Sequence, residues 1–290
     1  MNRPGASVPR CDVAVGPATI VGPMSSPARG YTDDLRLAHL LANDADSIAL
    51  SRFRARDLAV ATKADDSAVT DADQAIESSL RKTLASARPR DAVHGEEQDD
   101  TGWGPRRWVI DPIDGTANYV RGVPVWATLI ALMVDDVVQV GVVSAPALGR
   151  RWWAADGDGA FTGKTLFNGQ AIHVSDVGTV GDAFLSYASL GGWMDTPRAR
   201  PFANLLHDCG RTRAFGDFWS YMLVAEGAVD LACEPELALH DMAALDVIVR
   251  EAGGRFTNLE GMAGPFGPGA LATNGVLHDD VLTRLAPAAA

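Results

Sequence analysis

Residues 111 to 116 read Asp-Pro-Ile-Asp-Gly-Thr and follow the apolar run Trp108-Val109-Ile110. Two carboxylates three residues apart, where a buried strand ends, repel each other, and unpaired they are costly to hold in a partly dry place. Such a pair calls for a positive partner. Three more acids can join it: Asp73 in Val69-Thr70-Asp71-Ala72-Asp73-Gln74, Glu96 in Gly95-Glu96-Glu97, and Asp241. Hard divalent cations such as Mg²⁺ take oxygen ligands and usually keep water. A strand-end Asp111 can bridge two ions through its two oxygens, and Asp114 can ligate one of them. Gly115 and Thr116 then open a helix, whose first N–H groups can take a phosphate. Taken singly, each acid also reads as a surface turn or helix-start residue, Asp73 above all. Taken whole, the 111–116 string does not, because so apolar a strand has no need to end in two acids.

Helices and strands must bring these residues together. The spacing of Leu35, Ala38, Ala42, Ala45, Ile48, Ala49 and Phe53 predicts a helix over 32–53, with Thr32 as N-cap and His39 as a surface or boundary residue. A second helix follows Thr70, whose pairing with Asp73 three residues on resembles a capping arrangement, and it ends before Pro89. Residues 94–100 form a polar loop. Strands are predicted at 107–111, 125–134, 137–144, 150–155 and 170–174, joined by turns at Asp135-Asp136 and Asp156-Gly157-Asp158-Gly159, which gives a largely antiparallel sheet. Further on come a strand near 183–187, a helix over 216–227, and a strand at 229–233. A helix from His240 closed by Gly253-Gly254, two short strands within 255–261 and 270–275, and a helix over 276–286 complete the chain. The class is layered α+β.

Composition narrows the field. The 290 residues are 47% hydrophobic and 21% charged, as in a soluble globular protein, and the net charge of −12 disfavours nucleic-acid partners. Cys11, Cys209 and Cys233 make neither a disulfide framework nor a zinc pattern, so a cytoplasmic location is expected, with Cys209 and Cys233 as small buried hydrophobes. No apolar run approaches the ~20 residues of a membrane-spanning helix. Residues 1–30, rich in Gly, Pro, Ala and Ser, read as an extension, and Met24 is an alternative start.

The ordered set of motifs resembles the inositol monophosphatase superfamily of metal-dependent, lithium-sensitive phosphatases. It is matched by Val69–Gln74, Gly95-Glu96-Glu97, residues 111–116, and Asp241-Met242-Ala243-Ala244 followed by Glu251-Ala252-Gly253-Gly254. The resemblance runs from about residue 32 to the C-terminus. It implies a layered α/β/α/β/α sandwich, with a metal and phosphate half over about 31–175 and a substrate half over about 176–290. It further implies two to three Mg²⁺ ions: one on Glu96, Asp111 and the Ile113 carbonyl, a second on Asp111, Asp114 and Asp241, and a third near Glu96 with Asp73 reached through water. Gly115 and Thr116 would hold the phosphate. Thr116 paired with Asp73 would orient the attacking water, Lys63 would sit at the cleft edge, and the assembly would be a homodimer.

The substrate has to be read from the second half. Glu234 stands seven residues before Asp241, and Asp217 lies in Gly216-Asp217-Phe218-Trp219. This pattern looks more like the histidinol-phosphate phosphatases of the superfamily than the inositol enzymes. An ammonium and an imidazole on the substrate would give Asp217, Glu234 and the neighbouring Asp241 something to bind. Other readings stay open: Asp217 as a helix cap, inositol-1-phosphate or a broader sugar or nucleotide phosphate as substrate, and a catalytically silent regulator. His240 stands where relatives carry tryptophan, either as a packing substitute or as a contact to the metal and phosphate environment. A haloacid-dehalogenase reading is set aside, since its Asp-x-Asp pair lies near the chain start with a different spacing.

Overall fold

A computed structural model describes residues 30–63 and 67–287; the expected N-terminal extension and Met24 lie outside the described residues. The first half runs α1 (Thr32–Arg52), β1 (Val60–Thr62), β2 (Ala68–Thr70), α2 (Asp71–Ala87), β3 (Ala92–Gly95), β4 (Arg106–Asp114), α3 (Thr116–Arg121), β5 (Ala127–Val134), β6 (Val137–Ala145), β7 (Arg150–Ala155), β8 (Gly159–Thr162) and β9 (Gln170–Ile172). The second half runs β10 (Phe184–Ser186), α4 (Leu190–Met194), α5 (Ala199–Asp208), β11 (Arg211–Arg213), α6 (Asp217–Ala225), β12 (Leu231–Glu234), α7 (Leu239–Glu251), β13 (Arg255–Thr257), β14 (Ala270–Thr273) and α8 (His278–Leu285).

Strands β3 to β9 pair in sequence order into a seven-stranded sheet, antiparallel except for the parallel β3–β4 pair. The two-residue period of its strands sorts side chains to two faces. Trp108, Ile110, Ile130, Leu132 and Trp153 pack under α1 and α2, while Val109, Leu129, Ala131 and Trp152 face α6 and α7. A mixed five-stranded sheet, ordered β11-β10-β12-β14-β13, covers the other side of α6 and α7 through Ala232, Phe256, Ala270 and Ala272. Its outer face packs Leu185, Leu231, Cys233 and Leu271 against Trp193, Phe202 and Val281 of α4, α5 and α8. The layers are therefore α/β/α/β/α, as expected. Gly141 makes the central contact possible: a Cβ there would lie 2.5 Å from Val247 Cγ1 and 2.8 Å from the Ala244 carbonyl, so α7 could not sit so close to the sheet.

Several local expectations need correction. Tyr31, not Thr32, precedes the first helical residue, with no side-chain cap. His39 is buried rather than at the surface, edge-on to Trp153 with ring centroids 4.9 Å apart, and with its Nδ1 3.2 Å from Arg151 Nη1. The loop expected at 94–100 begins as strand, since His94 and Gly95 pair with Val109 and Ile110. Cys209 and Cys233 are buried free thiols, as read from the sequence.

Candidate active site

Strand β4 explains how two acids three residues apart reach one site. In a regular strand Asp111 and Asp114 would project from opposite faces. Here Asp111 pairs with Leu129 and Asp114 with Ala127, so β4 carries one residue more than β5 across this step. Such a bulge re-aims side chains. Pro112, which has no N–H for the ladder, lies within it, and its carbonyl accepts from Thr128 Oγ1 at 2.7 Å. Gly115 then turns the chain with φ at +79°, and a Cβ on it would press to 3.0 Å from the Val125 carbonyl and 3.1 Å from Asp217 Oδ2.

From the opposite layer, α7 presents Asp241 at its third residue, where Oδ2 accepts from the Ala238 N–H at 2.6 Å. Carboxylate oxygens of Asp111, Asp114 and Asp241 all lie within 4.8 Å of one another. The first turn of α6 closes the same side: the Phe218 N–H donates to Asp114 Oδ2 at 2.8 Å. Asp217 does not cap its helix. Gly216 holds the N-cap position, and Asp217 Oδ2 instead accepts from Asn118 Nδ2 at 2.8 Å.

On the near layer, Asp73 is wholly buried at the start of α2. Its Oδ2 accepts from the Thr70 N–H at 2.8 Å and from Thr70 Oγ1 at 2.6 Å, while Oδ1 has no partner among the described residues. The expected Thr116–Asp73 pair is not formed: Thr116 Oγ1 donates to the Ile113 carbonyl at 2.9 Å. That bond uses one side of the carbonyl expected to meet a metal. Glu96 is held by Lys63, whose Nζ lies 2.6 Å from Glu96 Oε1 and 2.7 Å from Glu97 Oε1. Burial opposes the Lys63 charge, but the two glutamates outweigh it and raise its pKa.

The electrostatics of the cleft run one way. Burial, then Glu96 and Asp114, push Asp111 well above the usual carboxylate range; burial, then Asp217 and Asp241, do the same to Asp114. Burial lifts Asp73 to about 6 despite its Thr70 bonds, lifts Asp217 to about 6 with help from Asp241, and lifts Glu234 to about 8 with help from Asp217 and Asp241. Asp241 is also raised by burial, with His240 opposing. Six acids converge, and among the described residues none of these six pairs directly with Lys or Arg. The unpartnered buried Oδ1 atoms of Asp73 and Asp111 and the all-oxygen donor set suit a hard divalent cation.

Some participants were not read from the sequence. Asn118 positions Asp217, and the hydroxyl of buried Tyr221, near the charges of Glu234, Asp241 and Asp114, has no partner among the described residues. Glu77, also wholly buried, accepts from the N–H groups of Glu97 and Gln98 at 2.7 and 3.1 Å and so fixes the backbone that carries Glu96. The signal for Glu77 was Arg81 at helical spacing; Asn118 and Tyr221 had none. His240 stacks its ring on His94 with centroids 6.0 Å apart, and its Nε2 lies 3.6 Å from Oδ1 of Asp241, one of the clustered acids.

The bulged strand, the helix-start aspartate and the opposing Asp241 gather their acids in one cleft, and a family model gives the class: residues 32–288 match the inositol monophosphatase family, to which the chain belongs. Among its relatives, a histidinol-phosphatase of Streptomyces coelicolor is 59% identical, over 88% of this chain and 97% of the relative. A histidinol-phosphatase of Mycobacterium tuberculosis is 56% identical, over 87% and 98%. Among solved structures, an inositol monophosphatase from Zymomonas mobilis superposes with a TM-score of 0.77 at 32% identity, covering 88% of this chain and 98% of that one.

Proposed function

We propose that this chain hydrolyses L-histidinol phosphate to L-histidinol and inorganic phosphate. The observation that carries the reading is the placement of Asp217 and Glu234 beside the acidic trio without a cation of their own. Among the described residues Asp217 Oδ2 meets only a neutral amide, and Glu234 Oε1 has no partner. Two buried acids next to a phosphate site suit a substrate whose organic part is cationic, with an ammonium and an imidazole, better than one bearing neutral hydroxyls. The identity to two histidinol-phosphatases supports the same choice.

Glu96, Asp111, Asp114, Asp241 and the Ile113 carbonyl would hold two to three Mg²⁺ ions. When bound, the metal lowers the pKa of water and neutralises charge on the transferring phosphoryl group. The protein's own residues do the rest. Asp73 Oδ1 takes a proton from the attacking water; with its pKa lifted to about 6, it is a base suited to near-neutral pH. The first N–H groups of α3, at Gly115 and Thr116, have no acceptor within the helix and hold phosphate oxygens. The water oxygen bonds to phosphorus, the ester P–O bond breaks, and the leaving alkoxide takes a proton from solvent. Asp217 and Glu234 orient the amino alcohol. A cytoplasmic homodimer belongs to the same reading.

The test compares phosphate release from L-histidinol phosphate and inositol-1-phosphate at matched concentrations with Mg²⁺. Strong preference for the first is expected; preference for the second would overturn the assignment. Asp217→Asn should raise KM for histidinol phosphate by about tenfold while moving a neutral ester less. Equal effects on both would remove Asp217 as a reader of substrate charge.

A further inference from the structure

A second cavity, of about 510 Å³, opens between α1 and the loop that joins β8 to β9, and it shares no lining residue with the acidic cleft. One wall is a stripe of α1 at helical spacing: Leu35, Arg36, His39, Leu40 and Asn43. The facing wall is Lys164, Thr165, Leu166 and Phe167, and Arg151 lies between the two. The apolar part is uncovered: Leu40 is 59% exposed and Phe167 fully so.

The charge of this cavity runs against that of the molecule. In a chain of net charge −12, its lining holds Arg36, Arg151 and Lys164 and no Asp or Glu. Arg151 is pre-set at 6% exposure by Asp46 Oδ2 at 2.7 Å, Asn43 Oδ1 at 3.0 Å and Ser144 Oγ at 3.0 Å. Arg36 has a solvent-exposed pairing with Asp33, which is worth little and is easily exchanged. Lys164 makes no ion pair among the described residues. Arginine only donates hydrogen bonds, so His39 Nδ1 accepts from Arg151 and the ring proton sits on Nε2. That buried N–H has no acceptor among the described residues.

We infer that this cavity binds a small anion whose charge is carried on an apolar or aromatic body, at a site separate from the phosphatase cleft. The anionic group meets Arg36 and Lys164 at the rim, and the apolar body lies on Leu35, Leu40, Leu166 and Phe167. The volume is in the range that small-molecule sites occupy, roughly 300–1,000 Å³.

Anilinonaphthalene sulfonate has this chemistry and reports binding by fluorescence; the experiment uses the full chain with Mg²⁺. One saturable site is expected, insensitive to inorganic phosphate. Its affinity should fall at least about tenfold in the double variant Arg36→Glu, Lys164→Glu, with turnover within about twofold of the parent. Phe167→Ser should weaken the probe as well, and phenylnaphthylamine, which has the same rings without the sulfonate, should bind at least about tenfold more weakly. Unchanged affinity in the double variant would overturn the inference. So would equal binding of the neutral probe, absence of a saturable site, or displacement by phosphate, which would place the probe in the catalytic cleft.

Discussion

Asp73 and Glu77 lie one turn apart on α2, and both are wholly buried. Glu77 is satisfied within the chain: Arg81 Nε donates to it at 2.8 Å, and two backbone N–H groups complete its acceptors. Among the described residues Asp73 has only the Thr70 cap on one oxygen, and its other oxygen has no partner. A buried acid with a guanidinium and main-chain donors is finished structure. A buried acid with an empty oxygen awaits something the chain does not supply, and here that oxygen belongs to a cleft of like charges. One helix thus carries both a fastening and the base of the proposed reaction.

The comparison can be broken most sharply at Asp73. Asp73→Asn keeps the shape and removes the proposed base, so kcat should fall by about 10²–10⁴-fold while the unfolding midpoint holds or rises. Phosphate-release kinetics beside urea denaturation reads both, and a variant that unfolds but retains turnover would reverse the roles. Glu77→Gln should do the opposite in stability. It leaves Arg81, only 11% exposed, without its charge partner, and should cost about 3–5 kcal/mol in urea denaturation. Gly95→Ala sharpens the same point, because the added Cβ would fall on the Glu77 carboxylate; a loss of about 1–3 kcal/mol is expected, with the metal ligands unchanged.

The smallest effect is in pH. Asp73 and Asp217 at about 6 and Glu234 at about 8 lie above the ordinary values of 3.8 and 4.5 that unfolded carboxylates keep. Between about pH 4 and 8 the folded chain therefore binds more protons than the unfolded one, and stability falls as pH rises through that window. A divalent cation binds the deprotonated acids and opposes the fall. Chelation should lower Tm more at pH 8 than at pH 5 in thermal-shift assays, and an equal loss at both would show that the acids are not the cation's ligands.

Much of this was legible in the sequence because it was local. The 111–116 string named its strand, turn and helix start, and Thr70 with Asp73 announced the capping box that the structure contains. The succession of helices and antiparallel strands in blocks pointed to a layered α+β fold. What stayed hidden depends on contacts distant in sequence or on short, irregular pieces. Asn118 reaches Asp217 across 99 positions. Helix α5 carries Pro201 at its third residue, a breaker by type but harmless in a first turn whose N–H groups have no helical acceptor. Strand β11 is three residues long, too short to show a period.

The extra residue in β4 has a consequence for how the site can be altered. It acts as a phase shift: upstream of it the strand keeps one parity, and downstream the other. A strand that kept all its residues but lost the bulge would form an unbroken ladder and send Asp114 to the far side of the sheet, away from Asp111. Substitutions around the cleft can therefore change which phosphate ester is bound by degrees, whereas straightening that one bulge separates the two acids at one stroke, in a sheet that still pairs.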